Sequence, residues 1–187
     1  MTHLIFGINF NQSIKGNLPS SIRYLDMGHF FNRPIDGCIP SFVTDLVFGY
    51  HFNQPVENNI PSTVTSLTFG GNFNQPLINC IPTTITRLIF NCYKIDNITI
   101  SKYSNLKELR LWHIFNQPIK HILPSTITHL TLGEFFNQSI EGIPPHVTHL
   151  TFGWNFDQPV SGHLPTSLTH LTFGGCFDQM DQNSIPT

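Results

Sequence analysis

Apolar residues recur along this chain with a long period laid over a short one. Ile22, Val43, Val64, Ile85, Leu106, Ile127, Val147 and Leu168 follow Met1 in steps of 21 residues, broken by one step of 20 before Val147. Nine copies of one unit therefore run from Met1 to the last residues. Counted from that first residue, positions 1, 4 and 6 are apolar: Val64, Leu67 and Phe69 in one copy, Ile127, Leu130 and Leu132 in another. Alternation at positions 4 and 6 predicts a short strand with one buried face. Thr at position 2 favours that strand. Gly at position 7 ends it, because glycine lets the backbone turn.

The rest of each copy is a turn-rich return. Phe-Asn-Gln-Pro stands at 52–55, 73–76 and 115–118, with near copies at 31–34 and 156–159. A second Pro follows near position 19 of most copies, as Pro40, Pro61 and Pro82 do. Two prolines within about a dozen residues forbid a regular α-helix there. The return is therefore extended or of short 3-10 type, anchored by Ile, Val or Leu at positions 14 and 18. The motif Phe steps from Phe73 to Phe115 because the fifth copy is irregular around 91–105. That copy lacks the Phe-Asn-Gln-Pro turn and carries Lys94 and Lys102, with Lys107 just after it. It is either drift on a retained strand or a local change of curvature for docking.

One strand per copy cannot make a core alone, whereas stacked copies can. The expected fold is a β-solenoid, residues 1–187 as a single repeat domain, with one parallel sheet and a convex side without regular helices. Nine strands at about 4.8 Å spacing would extend about 40 Å.

The run Leu106-Lys107-Glu108-Leu109-Arg110-Leu111 resembles the leucine-rich repeat. The line from Ile60 through Val64, Leu67, Phe69 and Gly70 to Phe73-Asn74-Gln75-Pro76 resembles more closely the FNIP repeat, a leucine-rich-repeat relative of social amoebae and giant viruses. The resemblance covers essentially the whole chain. It implies a leucine-rich-repeat-like solenoid. Many relatives carry an F-box ahead of the repeats, which implies adapters that deliver targets to a ubiquitin ligase. Here Met1 already holds the first core position, so an adapter lacking its F-box is what that branch implies.

Composition narrows the partners. Charged residues make up 11% of the chain and the formal net charge is −2, against roughly 25% charged in an average domain. No basic block stands out, so neither nucleic acid nor an anionic membrane is expected as partner. The first residues lack the pattern of a signal peptide, and no apolar run is long enough for a span. The four cysteines show no Cys-x-x-Cys pairing and are expected as reduced thiols in the cytoplasm, the host cytoplasm if the protein is viral. Ten histidines would carry the net charge from −2 towards +8 on acidification.

Candidate chemistry lies in the columns that do not repeat. The repeated Phe is expected to stack in the core. The repeated Asn, with Asp157 and Asp178 in its place in the last copies, is expected to satisfy turned backbone. The carboxylates fit copies near an end, where water can help. Position 3 points outward and reads His3, Tyr24, Asp45, Ser66, Arg87, Glu108, His129, His149 and His170. Position 5 contributes Arg110, and position 8 contributes Tyr50, His113 and Trp154 at the strand exit. Tyr, Trp and Arg dominate protein hot spots. These residues make the sheet face the expected site for another protein. The three imidazoles of His129, His149 and His170 have the ligand type for zinc, but a flat exposed column has no evident fourth ligand or orienting carboxylate. No metal or cofactor is expected. No nucleophile with a base, paired carboxylate or phosphate loop is legible, so an enzyme is not expected. A rival reading is a structural or self-assembling component, homo-oligomeric through the N-terminal end, where Met1, Leu4 and Phe6 form an open coil.

Overall fold

The computed structural model describes residues 1–77, 79–91, 100–112 and 114–180. The chain divides into two units, Met1–Ile98 and Thr99–Thr187. The first holds strands β1 (His3–Ile5), β2 (Tyr24–Asp26), β3 (Asp45–Val47), β4 (Ser66–Phe69) and β5 (Arg87–Phe90). The second holds a 3-10 turn at Ile100–Lys102, then β6 (Glu108–Leu111), β7 (His129–Leu132), β8 (His149–Thr151) and β9 (His170–Thr172). Within each unit every strand pairs in parallel with the strand of the next copy. The register is one copy per step: Leu25 faces Leu46, and Leu130 faces Leu150. This is the leucine-rich-repeat-like solenoid that the period implies.

Copies one, three, four, seven and eight each close on themselves through three tight turns. The N–H of position 10 donates to the carbonyl of position 7, as Phe52 does to Gly49 at 3.2 Å. Position 17 donates to position 14, as Asn59 does to Val56 at 3.1 Å. The first residue of the next copy donates to position 19, as Val64 does to Pro61 at 3.0 Å. The second turn holds the residue at position 16 in the left-handed region: Gly16, Gly37, Asn58, Asn79, His121, Gly142 and Gly162 have φ between 56° and 97°. Gly and Asn occupy that region at the lowest steric cost.

The core is a set of columns. Leu25, Leu46, Leu67, Leu88 and Leu109 are all 0% exposed, and so are Ile22, Val43, Val64, Ile85 and Leu106. The Phe of position 10 stacks on its counterpart at 6.0–6.1 Å along Phe10, Phe31, Phe52 and Phe73, and at 6.1 Å along Phe115, Phe136 and Phe156. Within a copy it also stacks on position 6, as Phe48 and Phe52 do at 4.0 Å. Cys38 and Cys80 are buried thiols behind these columns, and Cys176 is exposed. Burial pushes the Cys38 thiol up, with Lys15 opposing and Asp36 assisting.

Phe-Asn-Gln-Pro is the corner where the strand leaves the sheet. Asn32 Oδ1 accepts from the Asn53 N–H at 3.0 Å and from Gln54 Nε2 at 2.9 Å. Asn53 Oδ1 does the same for Asn74 N–H and Gln75 Nε2, and Asn116 Oδ1 for Asn137 N–H and Gln138 Nε2. The ladder runs through the acceptor oxygen. This explains Asp157, whose Oδ1 accepts from the Asp178 N–H at 3.0 Å. A carboxylate fits because an acceptor oxygen is what the column asks for. At the third corner a hydroxyl bridges copies: Thr63 Oγ1 donates to the carbonyls of Ser41 and Val43, both at 2.8 Å.

Glycine at position 7 answers to closeness more than to turning. A Cβ on Gly49 would stand 1.9 Å from the Gly28 carbonyl oxygen, and one on Gly70 2.0 Å from that of Gly49. The stacked backbones meet here with no room for a side chain. At the first strand Leu4 and Phe6 are half-buried, and Met1 and Ile5 are each 66% exposed. At the other end of the described chain Leu171, Phe173 and Phe177 are half-buried, and residues 181–187 lie outside the described residues.

Two substitutions separate these forces. Gly70→Ala should cost about 1–3 kcal/mol by forcing stacked backbones apart. Gly7→Ala, whose Cβ meets nothing within 4 Å, should leave the thermal midpoint close to wild type. Equal melting of the two variants would refute the close-approach account. Asn32→Ala strands two part-buried donors and should cost about 1–3 kcal/mol. Asn32→Asp keeps the acceptor and should lose much less, as chemical denaturation at neutral pH would show.

Candidate partner-binding face

In-register pairing turns position 3 into a row along the outer sheet face within each unit. In the first unit the row is His3, Tyr24, Asp45, Ser66 and Arg87. In the second it is Glu108, His129, His149 and His170. Strand alternation points positions 4 and 6 inward and leaves positions 3 and 5 outward, so the burial pattern of β2, β3, β8 is half-buried, buried, half-buried.

In the first unit His3 stacks on Tyr24 at 5.7 Å. Burial raises the Tyr24 phenol, and the carboxylates of Asp26 and Asp45 add to it, while Arg87 opposes. The Thr44 hydroxyl donates to Asp45 Oδ2 at 2.7 Å. Arg87 is half-buried on β5. At the strand exit His29 stacks on Tyr50 at 5.3 Å, and Phe30 stacks on His51 at 4.6 Å. Tyr50 and Phe30 remain 39% and 41% exposed. The Tyr50 ring covers Gly71, where a Cβ would meet it at 2.4 Å. Of this ring cluster the sequence reading named only Tyr50. The signal was available: positions 8 and 9 of two adjacent copies read His29-Phe30 and Tyr50-His51, all rings, where the next copy reads Gly71-Asn72.

In the second unit Arg110 Nε donates to Glu108 Oε1 at 2.7 Å. Trp154 is 61% exposed and its ring lies over Gly175. Trp112 and Phe135 are further exposed aromatics that the sequence reading passed over. His113 lies outside the described residues.

The three expected imidazoles do come together. His129 and His149 stack with centroids 4.2 Å apart, and His149 and His170 with centroids 4.1 Å apart, at interplanar angles of 16° and 10°. Each Nδ1 is tied to the hydroxyl of the preceding Thr, at 2.9 Å for Thr128, 3.0 Å for Thr148 and 2.9 Å for Thr169. Parallel rings hold their lone pairs side by side rather than converging on one point. Among the described residues no group of three His, Cys, Asp or Glu has the geometry to hold a metal ion.

The FNIP Repeat family model matches residues 1–30, 31–70, 52–93 and 136–176. This chain belongs to the FNIP-repeat family. Among solved structures, the crystal structure of CroV588, from a giant virus and described as a novel circular LRR protein structure, is similar at 36% identity with a TM-score of 0.77. The likeness covers 100% of this chain and 32% of that one, so the FNIP chain spans about a third of the length of CroV588. No curated protein matches it. The FNIP solenoid is a leucine-rich-repeat type of scaffold, and no helix among its described residues is long and apolar enough to cross a membrane.

The stacked column makes a pH prediction. Burial, then the charges of His129 and His170, hold His149 below the 6.5 of a free imidazole. A lowered folded-state value favours the neutral ring in the fold. The stabilisation is present above 6.5 and is lost as pH falls through 6.5 towards the folded value. The thermal midpoint should therefore fall between about pH 7 and pH 5, and His149→Gln should flatten that fall. An unchanged slope in the variant would remove His149 from the account.

Proposed function

We propose that the protein is a non-enzymatic interaction module that holds another protein on the outer face of its sheet. The observation that carries this reading is the contrast between columns. The inward columns repeat Leu, Phe and Val with little change, while the outward row of the second unit changes from Glu108 to His129, His149 and His170. A rigid scaffold with a varied exposed row is where binding specificity resides. Arg110, with its side chain 38% exposed, and Trp154 are of the residue types that carry most binding energy. The leucine-rich-repeat type of scaffold supports the same reading, since such solenoids commonly serve as interaction surfaces.

The test is affinity capture followed by binding measurement on the recovered protein. Arg110→Ala with Trp154→Ala should weaken binding at least about ten-fold, the effect of losing about 1.4 kcal/mol. A control pair on the return side, Lys120→Ala with Glu141→Ala, removes an exposed ion pair at 2.6 Å and should leave binding unchanged. The reverse pattern would move the site off the sheet face.

A further inference from the structure

The His129–His149–His170 column is more ordered than an exposed row needs to be. Its rings are stacked, its Nδ1 atoms are all tied to Thr hydroxyls, and those hydroxyls lie near backbone carbonyls. Thr128 Oγ1 lies 3.3 Å from the Lys107 carbonyl, Thr148 Oγ1 3.1 Å from that of Thr128, and Thr169 Oγ1 3.1 Å from that of Thr148. In the imidazolium form both ring nitrogens carry protons. Nδ1–H then donates to Oγ1, and the hydroxyl turns its own proton to the carbonyl. Every group on the inner side of the ring is satisfied. Nε2–H is left as the donor offered outward, and three such donors stand in register on β7, β8 and β9.

Protonating this column alone is unfavourable, because His149 has a like charge on either side. The charged groups on the neighbouring strand do not relieve it. Glu108 faces His129 across β6 and β7, but its carboxylate is engaged by Arg110 at 2.7 Å. Lys107 precedes Glu108 and Glu134 follows β7; the outward residues at position 5 of β7, β8 and β9 are the neutral Thr131, Thr151 and Thr172. A counter-charge supplied from outside the chain would relieve it.

We propose that this column is a docking site for an acidic peptide segment, engaged when the imidazoles are protonated and released near neutral pH. The three strands span about 10 Å at the usual strand spacing, and side chains two apart on an extended peptide are about 7 Å apart. Two carboxylates of one extended segment thus fit along the three Nε2–H donors. Charge-assisted bonds of this kind are the strong ones. Binding an anion also raises the proton affinity of the rings, so pH and ligand are linked.

This inference rests on the sheet-face reading and names the chemistry of its partner. The probe is a fluorescein-labelled peptide of alternating Glu and Gly, followed by anisotropy at pH 5.5 and pH 7.5. Wild type should bind at least about ten-fold more tightly at pH 5.5, the effect of about 1.4 kcal/mol. His129→Gln/His149→Gln/His170→Gln should lose that difference. A charge-matched control, His121→Asn/His146→Gln/His163→Gln, changes exposed histidines elsewhere and should keep it. Circular dichroism would establish that both triple variants are folded. No saturable binding at pH 5.5, or equal loss in the two triple variants, overturns the proposal. So does equal binding of a single-stranded oligonucleotide, which would mark unselective anion capture. The Arg110 and Trp154 capture experiment at neutral pH can succeed while this one fails, so the two readings fall separately.

Discussion

Stacking of one copy on the next is the interaction on which the rest of the structure depends. A strand of three or four residues buries nothing alone. Its inward Leu becomes 0% exposed only because the same Leu of the neighbouring copies lies on either side. Parallel in-register pairing brings like onto like, so each column must tolerate its own residue at strand distance. Phe rings tolerate it by stacking, with aromatic pairs contributing about 0.5–1.5 kcal/mol each beyond area. Asn tolerates it because one oxygen accepts two N–H groups from the copy that follows.

The same constraint explains what the copies cannot vary. At Gly28, Gly49, Gly70, Gly153 and Gly174 of position 7 the stacked backbones touch and a methyl group has nowhere to go, whereas the fifth and sixth copies carry Asn91 and Trp112 there. At position 16 the second turn needs a left-handed residue, and Gly, Asn or His supplies it in copies one to four and six to eight, while Ile100 of the fifth copy opens a 3-10 turn instead. These are local demands of closing a 21-residue coil three times. The stability of such an array is close to a sum of copies and their nearest-neighbour contacts. Residues outside the columns are correspondingly free to change, and the FNIP scaffold can carry a different outer row in each unit.

Those outer rows are chemically unlike in the two units. The first pairs a half-buried Tyr24 with Asp26 and Asp45 and ends its strands in stacked His and aromatic rings. The second sets an ion pair beside a column of histidines. A neutral imidazole stack packs well, and the protonated stack asks for a counter-charge. The sheet face is thus a surface whose charge depends on proton concentration in the range where histidine titrates.

By itself the sequence determined the architecture. A 21-residue period with apolar positions 1, 4 and 6, and prolines that exclude helix, admits little other than a parallel solenoid. It also determined the outward row, since strand alternation makes position 3 the opposite of position 4. The burial of the Phe column was legible because the same Phe recurs beside the turn of every regular copy. Tertiary structure decided what depends on distance between copies. The Gly of position 7 reads in sequence as a turn, yet its necessity comes from a neighbouring carbonyl 1.9–2.6 Å from the missing Cβ. Asp157 reads as a departure from the Asn column, yet it keeps the one atom the ladder uses. The left-handed position was hidden because Gly, Asn and His share no hydrophobic pattern. Three histidines in one column were visible in the sequence. Whether their nitrogens would converge on a metal or lie parallel in a stack was settled by ring orientation, which the Thr hydroxyls fix and no spacing rule encodes.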